Sequence, residues 1–240
     1  MNTYTKKPSG YLLHKGLVNG SPFLVIATMQ SSNVKTGNMV QIWIILENQH
    51  PVDGVASGLD ASTICRGCPF ASGNGCYVNV GQAPRGIWAG YHRGIYPMLE
   101  RANYSKVFRG RKVRFGAYGN PTLIPLTIVE AIASRSSGWT GYFHDWRENP
   151  DAKAYGEYFM ASTETRDSFK AATAQGFRVF HASPVKPDDS LECLSETKGV
   201  ECAACGLCAG LTKHRSPNIW INPHGSKTAR ANAVAMGGRN

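Results

Sequence analysis

The sequence predicts an α/β fold built on a parallel sheet or barrel, and three observations carry that expectation. From Arg111 onward short apolar runs alternate with helix-like stretches, glycine closes at least one of those stretches, and polar residues recur just after the runs. Strand alternating with helix is the pattern of parallel strands joined by crossovers, because a parallel neighbour can only be reached by crossing back over the sheet.

The elements follow in order. Phe23 to Met29 and Val40 to Leu46 are β-branched or aromatic runs separated by a polar stretch through Lys35 and Gly37, which predicts an N-terminal β-hairpin. The Gly/Ser/Pro-rich region from Pro51 to Pro84 has too few periodic apolar residues for regular structure, and a long loop in a compact domain is usually functional. Val113 to Ala117 predicts a strand and Leu123 to Ser134 a helix; Trp139 to His144 and Tyr158 to Ser162 predict further strands. Glu164 to Gln175 has helical spacing and ends at Gly176, where a helix-terminating glycine belongs. Phe177 to His181 and Asn218 to Asn222 complete the set.

In such folds the C-terminal strand ends gather the chemistry. Five such ends carry polar residues here: Asn120; His144 with Asp145; Ser162, Thr163 and Glu164; His181 with Ser183; Asn222 with His224. We read three regions: residues 1–60 as an N-terminal β-hairpin region, 61–185 as a β/α barrel-like core with a three-cysteine loop, and 186–240 as a four-cysteine segment with the last strand.

The chain has 240 residues, enough to bury a substantial core. No apolar h-region follows a basic start, and no run of eighteen apolar residues occurs, so neither export nor membrane spanning is expected and a cytoplasmic location is. Seven cysteines, an odd number, are then expected to meet a reducing compartment and to persist as thiols or bind metal. The net charge of +10 attracts polyanions. Walker, nucleophile-elbow, H-E-x-x-H and dinucleotide motifs are absent.

The cysteines form two groups. Cys193, Cys202, Cys205 and Cys208 are spaced C-x8-C-x2-C-x2-C among glycines and alanines that allow close backbone approach. Four thiolates satisfy either tetrahedral zinc or a four-iron cluster. Cys65, Cys68 and Cys76 are spaced C-x2-C-x7-C and are one ligand short. For zinc the gap is filled by water or a histidine such as His92; for a four-iron cluster it leaves one iron open to substrate or cofactor.

The run Arg114-Phe-Gly-Ala-Tyr-Gly-Asn-Pro-Thr-Leu-Ile-Pro, with the helix after it, resembles the second strand of radical S-adenosylmethionine enzymes. There a Gly-Gly-Glu-Pro type motif contacts the amino group of the cofactor, and Gly119, Asn120 and Pro121 are the matching positions. The three-cysteine loop lies upstream, as in that family, and an aromatic, Tyr77, follows its last cysteine. The four-cysteine group looks like an auxiliary cluster of the kind many members carry. The resemblance covers roughly residues 60 to 210 in order of elements. It departs from the family at the loop, usually C-x3-C-x2-C, and at Asn120, where an acid is usual and where an amide offers an ammonium no charge-assisted bond.

The resemblance implies a partial, TIM-barrel-related β/α barrel, one or two 4Fe-4S clusters, S-adenosylmethionine as cofactor, and a protein reductant as partner. Asn120, Ser162, Glu164, His144 and His181 would then line the cavity. His144 is the leading acid–base candidate, with Glu164 and His181 beside it as catalytic candidates. The segments Thr140-Gly-Tyr-Phe-His-Asp-Trp and Phe159-Met-Ala-Ser-Thr-Glu also look like an uncharacterised group of cysteine-rich proteins of bacteriophages and bacteria, which implies the cytoplasm of a host cell but no activity.

Between Arg85 and Arg114 eight cations face one acid, Glu100, with Trp88, Tyr91, Tyr96, Tyr104 and Phe108 interleaved. Cations with aromatics can hold a phosphate backbone and stack bases, so stretch 85–114 is a candidate for nucleic-acid or nucleotide contact, and equally a solvated helix with an aromatic core face. Two functions from different classes follow: an iron–sulfur enzyme, or a zinc-stabilised nucleic-acid-binding protein without catalysis.

Overall fold

The computed structural model describes residues 7–71, 73–225 and 227–237. Its first two strands, β1 (Gly10–Val18) and β2 (Ser21–Thr28), form a hairpin that the sequence expectations do not contain. Asn19 and Gly20 join them with φ of 48° and 76°. That is the left-handed pair of a tight hairpin turn, and Asn-Gly is its strongest short-range signal. β2 then pairs antiparallel with β3 (Val40–Leu46), so the expected hairpin exists as the second half of a three-stranded meander.

From β3 the sheet becomes parallel. β4 (Lys112–Tyr118), β5 (Gly138–Phe143), β6 (Met160–Thr163) and β7 (Val179–Ala182) follow in chain order. β8 (Ser190–Glu192), also unforeseen, lies outside β9 (Asn218–Ile221), giving the order β1-β2-β3-β4-β5-β6-β7-β9-β8. Six parallel strands thus stand side by side in the sequence order β3 to β7 and then β9. Among the described residues the outer strands β1 and β8 do not pair, so the mixed nine-stranded sheet has two edges.

The region Pro51 to Pro84, expected to be irregular, holds two short helices, α1 (Pro51–Ala56) and α2 (Leu59–Ser62), before α3 (Ala83–His92) begins. Each of the first two has fewer than two turns, too few for a 3.6-residue period to show. Pro51 and Pro84 sit in first turns, where a missing N–H costs nothing. α4 (Tyr104–Phe108), α5 (Leu126–Ala133), α6 (Ala152–Gly156) and α7 (Arg166–Ala174) supply the crossovers. α7 starts on a reciprocal cap between Thr165 and Ser168 and stops before Gly176, at φ 81°. Short α8 (Leu194–Thr197) and α9 (Cys202–Cys205) carry the four-cysteine segment, and α10 (Thr228–Ala235) follows β9.

Register places Val113, Phe115, Trp139, Phe143, Ala161 and Val179 on one face, packed with Val129 and Ile132 of α5 and Phe169 of α7 in a single apolar cluster. That cluster also contains Val25 and Val40 of the meander and Ala209 of the C-terminal segment, so one core spans all three regions. The opposite face carries Arg114, Tyr142, Met160 and Phe180, and α3 covers its meander end by packing Ile87 against Leu24 and Ile45. Among the described residues no helix is long and apolar enough to cross a membrane.

Gly119, just beyond β4, has φ 77°, and a Cβ there would lie 2.6 Å from Ile44 Cβ and 2.7 Å from the Ile44 carbonyl oxygen. Gly110 has nearly the same φ, 72°, with nothing within 4 Å of its Cβ position. Gly119→Ala is therefore expected to cost about 2–4 kcal/mol, strain plus clash, and Gly110→Ala only about 1 kcal/mol. Urea midpoints of the two variants check the difference, and equal midpoints would remove the close packing of β3 against the turn as its cause.

Candidate functional site

The three-cysteine loop is fastened across the C-terminal ends of the parallel strands. The Asn120 N–H, after β4, donates to the Ile64 carbonyl at 2.7 Å, one residue before Cys65. Arg66 Nε lies 3.1 Å from Asp145 Oδ2, after β5. Asp145 is 4% exposed and also accepts from Thr122 Oγ1 at 2.9 Å and Asn149 Nδ2 at 3.1 Å, so its charge is compensated on several sides. Behind the loop, the buried Asp60 carboxylate accepts from the Tyr118 hydroxyl at the end of β4.

Within the loop Arg66 and Gly67 both take positive φ, 39° and 73°, and the Cys68 N–H reaches the Cys65 carbonyl at 3.1 Å. This tight left-handed turn aims the first two thiols together, and Arg66, a costly residue in that conformation, is held there by Asp145. The Cys76 N–H closes on the Phe70 carbonyl at 2.9 Å. The last helix closes over the loop: Lys227 Nζ donates to the Cys76 carbonyl at 2.8 Å, Arg230 to the Gly73 carbonyl at 3.1 Å, and Gly75 lies against Ala231.

The three thiols lie close enough to act on one another. Burial pushes the Cys65 thiol up, and Cys68, Asp60 and Cys76 push it further. Cys68 is pushed up to about 12, by burial first and by Cys76 second, and Glu164 after β6 also acts on it. Burial likewise raises Cys76. Three crowded thiols that cannot ionise alone suit a cationic centre, because a bound cation supplies the stabilisation that burial withholds.

Other sequence candidates lie at the ends of β4, β5 and β6. Asn120 is 1% exposed, and neither its amide nitrogen nor its amide oxygen has a partner. His144 Nδ1 is also buried without a partner, and burial holds the ring down to about 4, so it is neutral at pH 7. Glu164 is raised by burial against the opposing charge of Arg147. Gly119 forms the tight turn already described, Pro121 opens the buried turn after it, and the Ser162 carbonyl accepts the Trp146 indole N–H at 2.9 Å.

His181 goes elsewhere. It lies on the helix face of β7, 2% exposed, with Nδ1 2.8 Å from Thr163 Oγ1 and its ring edge-on to Phe169 of α7. Strand alternation decides this, since Phe180 takes the open face. His92 stacks on Trp88 and sets Nε2 3.0 Å from the Glu47 carbonyl, away from the thiols.

The four-cysteine segment lies on the open face of the sheet. The Cys208 carbonyl accepts from Gly141 of β5 at 3.0 Å, and Cys208 packs with Met160 and Ile219, flanked by Cys193 and Leu207. Cys193 donates its N–H to Trp220 of β9 at 2.8 Å, and Cys202 donates to Lys35 before β3 at 2.8 Å. Cys208 is pushed up to about 12 by burial, and Cys202, Cys193 and Cys205 all push it further, so the four thiols share one neighbourhood. All seven cysteines are free thiols. Among the described residues no group of three or more His, Cys, Asp or Glu stands in the arrangement that would hold a metal ion.

Three residues that the sequence reading missed hold these parts. Arg178, 2% exposed, donates to the carbonyls of Leu207 at 2.9 Å, Ala209, and Pro217 at 2.5 Å, pinning the cysteine segment beneath β7. Arg114 on the open face donates to the hydroxyl of Tyr77, next to Cys76, and its charge opposes the rise that burial imposes on Cys202, so one guanidinium acts on both thiol groups. Tyr142 stacks on Phe180 at 4.1 Å and packs against the cluster that contains Cys208. A cation of odd parity in an otherwise apolar strand, as at Arg114, is the signal that was present for one of them.

In the basic stretch, Arg85, Arg93, Arg101, Lys106 and Arg109 are exposed. Of its aromatics, Tyr104 and Phe108 belong to the main core, and Trp88 and Tyr91 of α3 and Tyr96, partly buried, pack against the cluster of Leu24, Ile45 and Ile87. Tyr104 and Phe108, both buried, present no ring for base stacking. Compared with known proteins, the chain matches no family model, no curated protein and no solved structure.

Burial depresses His181 to about 4 from its ordinary 6.5. The unfolded chain then binds more protons than the folded one between these values, so stability is full above about pH 6.5 and falls as pH drops toward 4. His181→Gln is expected to remove about 1–3 kcal/mol of that loss between pH 7 and 4.5. Urea midpoints at the two pH values read it, and an unchanged slope would place the titration elsewhere.

Proposed function

We propose that the chain is an iron–sulfur protein, an enzyme of the radical S-adenosylmethionine type built on a partial β/α barrel, with a 4Fe-4S cluster on Cys65, Cys68 and Cys76 and an auxiliary one on Cys193, Cys202, Cys205 and Cys208. The observation that carries this reading is the fastening of a three-thiol loop across the C-terminal rim of six parallel strands in sequence order, beside an unpartnered buried Asn120 amide. The loop follows β3, the first of those strands, and Gly119-Asn120-Pro121 follows β4, the second.

A four-iron cluster, which Cys65, Cys68 and Cys76 would hold, would supply an open iron and one-electron chemistry at the strand ends. The chain's own residues do the rest. Asn120 offers both a donor and an acceptor to a polar ligand, His144 accepts a proton at Nδ1, and Glu164 stands with Arg147 at the mouth. Arg66 and Asp145 hold the thiols in register, and α10 fastens the loop's second half through Arg230 on the Gly73 carbonyl.

The rival reading, zinc-stabilised nucleic-acid binding, is favoured by the exposed cations of residues 85–109 and not by their aromatics. Anaerobic purification separates the two. About eight iron and eight labile sulfide per chain with absorption near 400 nm are expected, falling to about four of each in Cys65→Ala/Cys68→Ala/Cys76→Ala. Stoichiometric zinc without sulfide would reject the iron–sulfur reading.

A further inference from the structure

We infer that Arg114, on the open face of the sheet beside the three-cysteine loop, binds the carboxylate of a small monoanionic ligand whose planar body lies against the paired rings of Tyr142 and Phe180. The inference stands on the fold and the side chains alone. Joined to the iron–sulfur reading, it names the substrate class as an aromatic carboxylate.

The arginines that are not exposed show what sets this one apart. Among the described residues these are Arg66, Arg111, Arg114, Arg135 and Arg178. Arg66 meets the Asp145 carboxylate. The other three donate to main-chain carbonyls: Arg111 to Met29, Arg135 to Ala131, and Arg178 to Leu207, Ala209 and Pro217. Arg114 has neither kind of partner. Among the described residues it forms no ion pair, and its one hydrogen bond runs from Nη2 to the hydroxyl of Tyr77, a neutral acceptor on a residue that is itself 68% exposed. A guanidinium carries several N–H donors in a fixed fork and stays charged in proteins, so most of this fork is open to a ligand. Burial of a charge is costly unless it is paired, and a half-buried guanidinium with only a phenol beside it calls for an anion.

Register sets what lies next to it. Arg114 of β4 pairs with Thr140 of β5, which puts Tyr142, two residues on, on the same face. Tyr142 pairs in turn with Met160 of β6, and Ser162, two residues further, pairs with Phe180 of β7. Tyr142 and Phe180 stack at 4.1 Å with 29° between their planes, and both are only partly buried. The Arg114 guanidinium also lies 5.9 Å from the centre of the Tyr77 ring. A cation is thus flanked by aromatic surface, which suits an anionic group on a flat, apolar body.

Charge decides between anions. One guanidinium balances one negative charge, and the side chains beside it, Tyr77 and Tyr142, are phenols that add no positive charge. Lys112, the previous residue of β4 on this face, is turned to the Ala203 carbonyl of α9. A phosphate dianion would keep one charge uncompensated, whereas a carboxylate takes two parallel N–H bonds from the fork.

The test titrates the full chain, as purified, with benzoate, benzamide, acetate and inorganic phosphate, read by ligand-observed NMR. Benzoate is expected to bind about tenfold more tightly than benzamide, which keeps the ring without the charge, and than acetate, which keeps the charge without the ring. Phosphate is expected to bind more weakly than benzoate. Arg114→Gln should lower benzoate affinity about tenfold, and Arg114→Lys, which keeps the charge and loses the fork, about threefold. Lys170→Gln removes the same charge from an exposed site on α7, across the sheet, and should change the affinity less than about twofold. Urea midpoints establish that the variants fold; should Arg114→Gln not fold, Arg114→Lys against Lys170→Gln carries the comparison. Benzamide binding as tightly as benzoate, phosphate binding more tightly, or equal affinities in Arg114→Lys and Lys170→Gln would each overturn the site. Iron and sulfide are measured on the same preparation, so a chain without iron overturns the iron–sulfur reading while the benzoate affinities still decide this one.

Discussion

The ion pair of Arg66 with the buried carboxylate of Asp145 is the contact on which the candidate site depends. A loop rich in glycine, serine and proline has little apolar surface with which to hold itself to a sheet, so its position must come from polar contacts. Asp145, already engaged by Thr122 and Asn149, gives Arg66 a fixed, partly desolvated partner, where an exposed pair would contribute about 0–1 kcal/mol at most. Removing Arg66 leaves that carboxylate buried and undercompensated, and the same change releases the backbone from its left-handed turn. The geometry of Cys65 and Cys68 is thereby coupled to the end of β5.

The parallel strands were legible because their crossovers force apolar runs to alternate with helices, and the strand ends followed from that. What was not legible has identifiable causes. β1 alternates weakly, as an edge strand with a half-solvated face does, although Asn19-Gly20 announced its turn. α1 and α2 are too short for periodicity. His181 read as a strand-end residue, but it lies within β7, where a single residue of register decides which face a side chain takes. The cysteine groups were visible as spacings, whereas the residues that hold them, Arg178 and Arg114, act across distances in sequence that no local pattern encodes.

The sheet divides its labour by polarity of direction. All seven parallel strands, β3 to β9, run the same way, so everything at their C-terminal ends shares one rim, and everything at their N-terminal ends shares the other. The three-thiol loop uses the first. The four-thiol segment occupies the open face and reaches the second, where Lys35, Thr36 and Lys112 meet α9. Arg114 and Tyr77 span the interval between them along one strand face. An antiparallel sheet would mix the two sets of ends.

The Asn120 amide carries the strongest physical pressure toward a ligand. Leaving a buried donor or acceptor unpaired costs about 1–3 kcal/mol, and Asn120 leaves both, while its own backbone N–H is engaged by Ile64. An apolar residue of similar size would avoid that cost, and the tight turn set by Gly119 would accept one, since Asn120 itself has ordinary extended backbone angles. A sequence that keeps a carboxamide there forgoes stability unless something polar arrives to meet it. Because that backbone bond ties Asn120 to the residue before Cys65, a polar group that met the amide would stand close to the start of the three-cysteine loop.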